Sequence, residues 1–185
     1  MSLRDSLNKL ILLPFFLLLL GSCTVFRSKP SKKYFHGFLY TINGDTVEAR
    51  IKVKPSYKTL VKYKPDGQKK KQSISINQLK GLQINLIQYG KIKVDNKPLI
   101  LEKVAYGTYN LYAFNQAHKD RIRTYYYFEY QKGDVVQLTS KNYLMILEEY
   151  LTGVPEIEEA IYNEEVAFDQ IINTVRRYNQ KSIKN

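Results

Sequence analysis

The chain has 185 residues, a formal net charge of +12 and a single cysteine. One cysteine excludes an internal disulfide, so a folded domain has to be held together by its apolar core. The length beyond a short leader is sufficient for one domain with such a core.

The first 22 residues are typical of a bacterial secretory signal. Arg4 and Lys9 precede an apolar run from Leu10 to Leu20, which is shorter than the roughly 20 residues that a membrane-spanning helix needs. The run leads into Leu20-Gly21-Ser22-Cys23, a lipobox, which lipoprotein signal peptidase cuts between Ser22 and Cys23. The sequence therefore predicts that Cys23 becomes the lipidated first residue. The alternative is an ordinary cleaved signal in which Cys23 is incidental.

The predicted lipidation has consequences for location. Each acyl methylene that enters a bilayer contributes about 0.8 kcal/mol, so several acyl chains hold a protein on a membrane. Residues 23–33 then form a tether with four basic residues and no carboxylate, which either rests on anionic headgroups or is a solvated linker. Surface-exported lipoproteins of some bacteria carry an acidic stretch just after the lipidated cysteine, whereas this chain has a basic one. We therefore expect an outer-membrane protein that faces the periplasm. Export also makes nucleic acid an improbable partner.

A β domain is predicted over residues 34–139, and it opens with a hairpin. Asn43-Gly44 lies between two apolar-patterned runs and is the leading sequence of a two-residue type I′ turn. Such a turn places His36 opposite Ile51, on the face that also carries Val47 and Ala49. His36 is therefore expected in the core as a structural histidine.

The following strand is predicted to pair with the hairpin through a three-residue loop, Lys54-Pro55-Ser56, because only an odd loop keeps the apolar residues on one face. The opposite face then collects five basic side chains, which are Arg50, Lys52, Lys58, Lys62 and Lys64. They either bind an anionic partner, such as lipid headgroups, a phosphorylated glycan or an acidic protein surface, or form a solvated face that protects the sheet edge.

Short apolar runs between turn residues continue to Thr139 and favour an antiparallel barrel or sandwich. The run Tyr125–Tyr130 puts aromatic rings on both faces of one strand, so that strand is expected to be covered on both sides. Residues 140–181 change to helical spacing. We expect a helix capped by Ser140, a second from Pro155 to Tyr162, and a third capped by Asn163. The fold class is thus α+β and mainly β, with two or three C-terminal helices packed on the same domain.

Catalytic signals are weak. The chain has two histidines, His36 and His118, and lacks the glycine-rich and nucleophile motifs of common enzymes. Asp45 and Glu129 are carboxylates that could do acid–base work if the fold brought them together. The carboxylates after residue 155 fall mainly in first helical turns, where the helix dipole favours them. The sequence predicts no catalytic residue, no metal site and no cofactor.

Three segments carry a family resemblance. Gly37-Phe38 through Gly44-Asp45-Thr46, then Gly107-Thr108-Tyr109-Asn110-Leu111-Tyr112, then helices ending at Tyr178-Asn179, together resemble an uncharacterised family of small exported or lipid-anchored proteins of Bacteroidetes-type bacteria. The similarity spans about residues 35 to 180. Many members have Cys-Pro where this chain has Val154-Pro155. The resemblance implies location and architecture and supplies no catalytic residue.

Three functions are compatible with these features. The first is a lipid-anchored, non-enzymatic binding or accessory protein whose basic face meets an anionic envelope partner. The second is a structural subunit that docks on an outer-membrane protein complex through its helices or tyrosines. The third is a glycan-active enzyme, which would need two buried carboxylates about 5–9 Å apart in a cleft.

Overall fold

The computed structural model describes residues 34–54, 56–118, 121–131 and 134–182. The lipobox, Cys23 and the tether lie outside these ranges. Within them, ten strands form one antiparallel sheet that is followed by three C-terminal helices. The predicted fold class, mainly β with C-terminal helices, is confirmed.

The strands are β1 Tyr34–Thr41, β2 Thr46–Lys52, β3 Leu60–Pro65, β4 Gln72–Ser75, β5 Leu79–Ile84, β6 Ile87–Val94, β7 Lys97–Ala105, β8 Asn110–His118, β9 Arg121–Gln131 and β10 Asp134–Leu138. The helices are α1 Tyr143–Tyr150, α2 Pro155–Tyr162 and α3 Ile171–Ser182. The sheet has the order β10-β9-β8-β7-β6-β5-β1-β2-β3-β4. Strands β10 and β4 are therefore its two edges, and the sheet is not closed into a barrel.

The first half of the sheet curls around its own core. Tyr57, in the β2–β3 loop, exchanges two backbone hydrogen bonds with Ile100 on β7, with N···O distances of 3.0 and 2.9 Å. This bridge brings distant parts of the sheet together over a buried cluster. Its members include Leu39, Ala49, Ile51, Val61, Tyr63, Ile76, Leu79, Leu82, Ile84 and Tyr89.

The second half of the sheet is covered on both faces. On one face, Tyr126, Phe128 and Tyr130 of β9 pack in a cluster with the three helices. On the other, Tyr127 is buried in a small cluster with residues of β6, β7 and β8. The expectation that the aromatic strand is covered on both sides is confirmed.

The β1–β2 turn differs from the prediction by one residue. The Gly44 N–H donates to the Thr41 carbonyl at 3.2 Å, and the Thr41 N–H donates to the Asp45 carbonyl at 2.9 Å. Gly44 has φ +94°, as expected for a three-residue loop in which a type I turn is followed by a glycine bulge. The expected two-residue type I′ turn is wrong.

A one-residue change of register moves every side chain of a strand to the opposite face. His36 therefore lies opposite Arg50, and its side chain is more than half exposed instead of entering the core. Its Nε2 is 2.7 Å from Oε1 of Glu48. The expected core position of His36 is wrong. The core residues of β2 that the sequence predicts, Ala49 and Ile51, are fully buried.

The β2–β3 pairing is shifted by four residues from the expected one. Ile51 lies opposite Tyr63 and Arg50 opposite Lys64, because the connection runs from residue 53 to residue 59 and is longer than the expected three residues. A shift by an even number preserves the faces. Tyr63 is consequently buried with Ile51, and the lysines of β3 stay on the outer face, as predicted.

The helices follow the sequence in part. Helix α2 begins at Pro155 and ends at Tyr162, as predicted. Helix α1 is preceded by Asn142 at the N-cap position, so the expected cap Ser140 is wrong. Asn163 ends α2 and does not start the third helix, which follows a 3₁₀ turn at Phe168–Gln170. Lys181 on α3 forms an ion pair with Glu156 on α2.

Candidate anion-binding face

Four of the five predicted basic residues share the outer face of β2 and β3. They occupy alternate positions in their strands, opposite in direction to the buried Ile51 and Val61. We call this set the basic face, and its members are Arg50, Lys52, Lys62 and Lys64. Arg50 and Lys62 are exposed, and Lys52 and Lys64 are partly buried.

The centre of the basic face is a pair of like charges. Arg50 and Lys64 are directly opposite each other in the β2–β3 register, an arrangement that destabilises a strand pair by a few tenths of a kcal/mol. They line a cleft of about 320 Å³ together with the β3–β4 turn, including Asp66 and Lys69. The cleft therefore contains three cationic side chains and one carboxylate, a composition that suits an anion.

Few acidic contacts neutralise the positive charge of the basic face. Glu48 projects from the same side of β2 as Arg50, but its carboxylate is engaged by His36. Within the described ranges, none of the four residues of the basic face forms a salt bridge. Their positive charge remains available to a partner in solution.

The basic face extends to the first described residue. The Lys64 Nζ lies 5.3 Å from the centre of the Tyr34 ring, within the range of a cation–π contact. Lys52 is opposite Tyr34 in the β1–β2 register. The basic face thus reaches Tyr34, the first residue that the structure describes.

Lys58 does not join the other four. It lies in the β2–β3 connection and lines a separate groove of about 420 Å³. That groove also contains Asp95 and Lys97 of the β6–β7 hairpin and the rings of Phe114 and Tyr127. The sequence prediction of a strand at Lys58 is the source of the error, because β3 begins only at Leu60.

A polar cluster that the sequence did not predict spans β7, β8 and β9. Oε2 of Glu129 accepts hydrogen bonds from Asn110 Nδ2 at 2.7 Å and from Tyr112 Oη at 2.9 Å. The Lys103 Nζ lies 5.5 Å from the centre of the Tyr112 ring. Gly90 on β6 makes room for this arrangement, since a Cβ there would lie 2.6 Å from Cε1 of Tyr112.

Burial governs the titration of this cluster. It raises the pKa of Tyr112, and the negative charge of Glu129 raises it further. Burial lowers the pKa of Lys103, and Glu129 partly offsets that effect. Because Glu129 is hydrogen-bonded to its neighbours, the cluster behaves as an internal network of the sheet. Asp45 hydrogen-bonds with Thr41 in the exposed β1–β2 turn, so its contacts are separate from those of Glu129.

Two of the three segments that carry the family resemblance meet in the structure. Asn179 on α3 is 3% exposed. Its Oδ1 accepts from the Tyr109 N–H at 3.0 Å, and its Nδ2 donates to the Tyr109 carbonyl at 2.7 Å. A Cβ on Gly107, which has φ +149°, would lie 2.7 Å from Cγ of Asn179. These motif residues therefore clamp helix α3 to the β7–β8 turn, which is a structural role.

No protein-family model, no curated protein and no solved structure matches this chain. In the part of the chain that the structure describes, no three histidine, cysteine or acidic side chains lie close enough together to hold a metal ion. No helix of the described ranges has the length and apolar character needed to cross a bilayer.

Proposed function

We propose that this protein is a lipid-anchored, non-enzymatic binding protein of the cell envelope and that its basic face holds an anionic partner. The observation that carries the proposal is the direct opposition of Arg50 and Lys64 beside Lys69 in one cleft. Like charges on directly opposite residues of a strand pair cost folding free energy. An anion that bridges them relieves the repulsion and gains charge-assisted hydrogen bonds.

The chemistry of the cleft favours phosphate or carboxylate groups. A guanidinium such as that of Arg50 presents a planar fork of donors that matches both groups, and an ammonium such as that of Lys64 adds a mobile point charge. Envelope lipids and glycans carry both kinds of anion. Because Arg50 is exposed, binding should weaken steeply as the salt concentration rises.

The location proposed for the protein is the outer membrane, on the periplasmic side, through acyl chains on Cys23. Its support is the lipobox and the basic tether of the sequence. An anchored protein meets its partner at a high effective concentration. A cleft of modest affinity is therefore sufficient for function.

The test compares two variants of equal net charge in the mature chain with Cys23→Ser, which carries no lipid. The first variant combines Arg50→Gln, Lys64→Gln and Lys69→Gln. The matched control combines Lys80→Gln, Lys93→Gln and Lys141→Gln, three exposed lysines outside the cleft. The probe is inorganic polyphosphate, and affinity is measured by fluorescence anisotropy at several salt concentrations.

We expect the cleft variant to lose about tenfold or more in affinity, because it removes the charge-assisted contacts, and to reduce the salt dependence. The control should lose less than about threefold, since only the long-range field changes. Equal losses in the two variants would show that net charge alone explains the binding, and the proposal would then fail.

A second candidate function is docking to an envelope protein complex through the helices. It is favoured by two large apolar side chains that are exposed on them, Met145 on α1 at 61% and Tyr162 on α2 at 80%. A photo-crosslinking residue at position 145 or 162 should then capture one defined protein in intact cells. A crosslinker at Ile122, an exposed residue of β9, serves as the control and should capture no such protein.

A further inference from the structure

Four large apolar side chains are exposed together at one end of the curled half of the sheet. Leu86 is 93% exposed, Ile87 44%, Val53 41% and Phe35 36%. We call these four residues the apolar end. Single exposed apolar residues are ordinary, whereas a contiguous group commonly marks a contact surface.

Three of the four continue the rows of the buried core. Phe35 and Ile87 lie two residues before the buried Gly37 and Tyr89, and Val53 lies two residues after the buried Ile51. Side chains two apart in a strand point to the same face. The rows of core side chains in the curled sheet thus continue to this end of the strands, where their last members are exposed to solvent.

The four residues lie on neighbouring elements. Tyr34 is opposite Lys52 in the β1–β2 register, so Phe35 and Val53 flank the same end of that pair. On the other side of β1, the Asn85 N–H donates to the His36 carbonyl at 2.9 Å. This bond holds the β5–β6 turn, with Leu86, beside the start of β1.

The surroundings of the apolar end are cationic. Lys52 and Lys54 flank Val53 in sequence, and Lys64 reaches the Tyr34 ring. Residues 34–36, 52–54 and 84–88 include no carboxylate, although the Glu48 carboxylate contacts His36. Exposed apolar side chains rimmed by lysines are the composition of surfaces that rest in the headgroup region of an anionic bilayer.

The chain enters the described domain at this same end. Eleven residue steps separate Cys23 from Tyr34, so Tyr34 lies within about 40 Å of a lipidated Cys23 even with the tether fully extended. The tether is basic and has no carboxylate, so anionic headgroups draw it toward the membrane. The apolar end is therefore the part of the described domain that is closest along the chain to the proposed anchor.

We propose that the apolar end docks on the surface of the anionic bilayer to which Cys23 is anchored. Leu86 and Ile87 enter the headgroup region, and Lys52, Lys54 and Lys64 contact lipid phosphates. This inference rests on the proposed function, because it needs the anchor, and it names the bilayer surface as one anionic partner. Docking would hold the domain in a fixed orientation on the membrane.

The chain has no tryptophan, so a single introduced indole reports on one position. Leu86→Trp places it at the apolar end, and Ile122→Trp places it at a 74% exposed position of the β8–β9 hairpin as a matched control. Both are made in the lipidated mature protein. The vesicles contain phosphatidylethanolamine and phosphatidylglycerol, with or without bromine on the acyl chains.

We expect the Leu86→Trp emission to shift to shorter wavelength in the vesicles and to be quenched by brominated lipid, with both effects reduced in neutral phosphatidylcholine. The Ile122→Trp emission should stay at the wavelength of exposed indole. In the unlipidated Cys23→Ser protein, Leu86→Ser with Ile87→Ser should lower partition into anionic vesicles by about tenfold, because it removes most of the apolar contact.

Three outcomes would overturn the inference. The first is an unshifted Leu86→Trp emission in anionic vesicles. The second is equal quenching at both positions, which indicates contact without orientation. The third is a blue-shifted emission without lipid, which indicates that another segment or a second copy of the chain covers the apolar end. Polyphosphate binding does not involve Leu86, so its retention in any of these cases leaves the proposed function standing.

Discussion

Replacement of Asn179 by alanine tests the clamp between helix α3 and the sheet. The Asn179 amide makes one hydrogen bond to the Tyr109 N–H and one to the Tyr109 carbonyl, at 3.0 and 2.7 Å. Asn179→Ala removes both partners at once from a site where the side chain is 3% exposed. The backbone groups of Tyr109 then lose the protein partners that replaced water on folding.

The size of the expected destabilisation follows from the number of backbone groups that Asn179→Ala leaves unpaired. An unsatisfied buried donor or acceptor costs about 1–3 kcal/mol. Tyr109 is only partly buried, so some of this cost is recovered by hydration. We therefore expect Asn179→Ala to lower the free energy of unfolding by about 2–4 kcal/mol. This is a large fraction of the about 5–15 kcal/mol that is typical of a domain.

Urea unfolding monitored by far-ultraviolet circular dichroism measures the effect. With a slope of about 2 kcal/mol per molar urea, the midpoint should fall by about 1–2 M while the slope stays constant. Gln180→Ala, at the exposed next residue of α3, is the control and should change the free energy of unfolding by less than about 0.5 kcal/mol. An Asn179→Ala protein as stable as the control would refute the clamp.

Three further predictions concern the sheet. Gly90→Ala should destabilise the fold by about 1–3 kcal/mol in urea unfolding, because its Cβ would lie 2.6 Å from Cε1 of Tyr112; unchanged stability would show that the ring moves freely. Burial raises the pKa of Tyr57 and of Tyr112, so the folded state retains both phenolic protons more tightly than the unfolded state. The contribution of these two phenols to the free energy of unfolding should therefore be fully present below about pH 10 and be lost as the pH rises above it. A urea midpoint that is constant from about pH 9 to 11 would contradict this. His36→Ala should cost less than about 1 kcal/mol in free energy of unfolding, because the contact between His36 and Glu48 is solvent-exposed; a larger loss of stability would indicate a core role.

The β1–β2 hairpin shows why its existence was predictable and its register was not. Asn43-Gly44 marks a turn in either arrangement, because glycine suits both a type I′ turn and the bulge of a three-residue loop. The choice is made by the packing of the strands, where Leu39 takes the core position. Phe38 and Leu39 are both apolar, so composition alone does not decide which of them faces the core. The predicted two-residue turn placed His36 on the core face.

The basic face was predictable because a strand pairing that is wrong by an even number of residues still leaves every side chain on the correct face of the sheet. The loop between β2 and β3 is longer than expected, since Tyr57 pairs with Ile100 and draws the connection away from the hairpin. The shift of four residues kept Arg50 and Lys64 on the outer face. It also separated Lys58 from them, which no local pattern indicated.

The contacts that join distant segments could not be predicted from spacing. The Asn179–Tyr109 hydrogen bonds and the Glu129 network depend on how the helices and strands pack, and their residues are ordinary in local context. The family resemblance singled out Asn179, Tyr109 and Tyr112 without saying that Asn179 meets Tyr109 or that Tyr112 binds Glu129. The start of α2 was predictable because Pro155 fixes the first turn locally.

Both functional proposals place the domain at a membrane through Cys23, so the most direct test is the chemical state of that residue. Mass spectrometry of the N-terminal peptide of the mature protein, purified from membranes washed at high salt, measures it. The account predicts a peptide that begins at Cys23 and carries acyl chains, and a Cys23→Ser protein that leaves the membrane in the wash. An N-terminus at another residue, or an unmodified Cys23 in the washed membranes, would contradict the account.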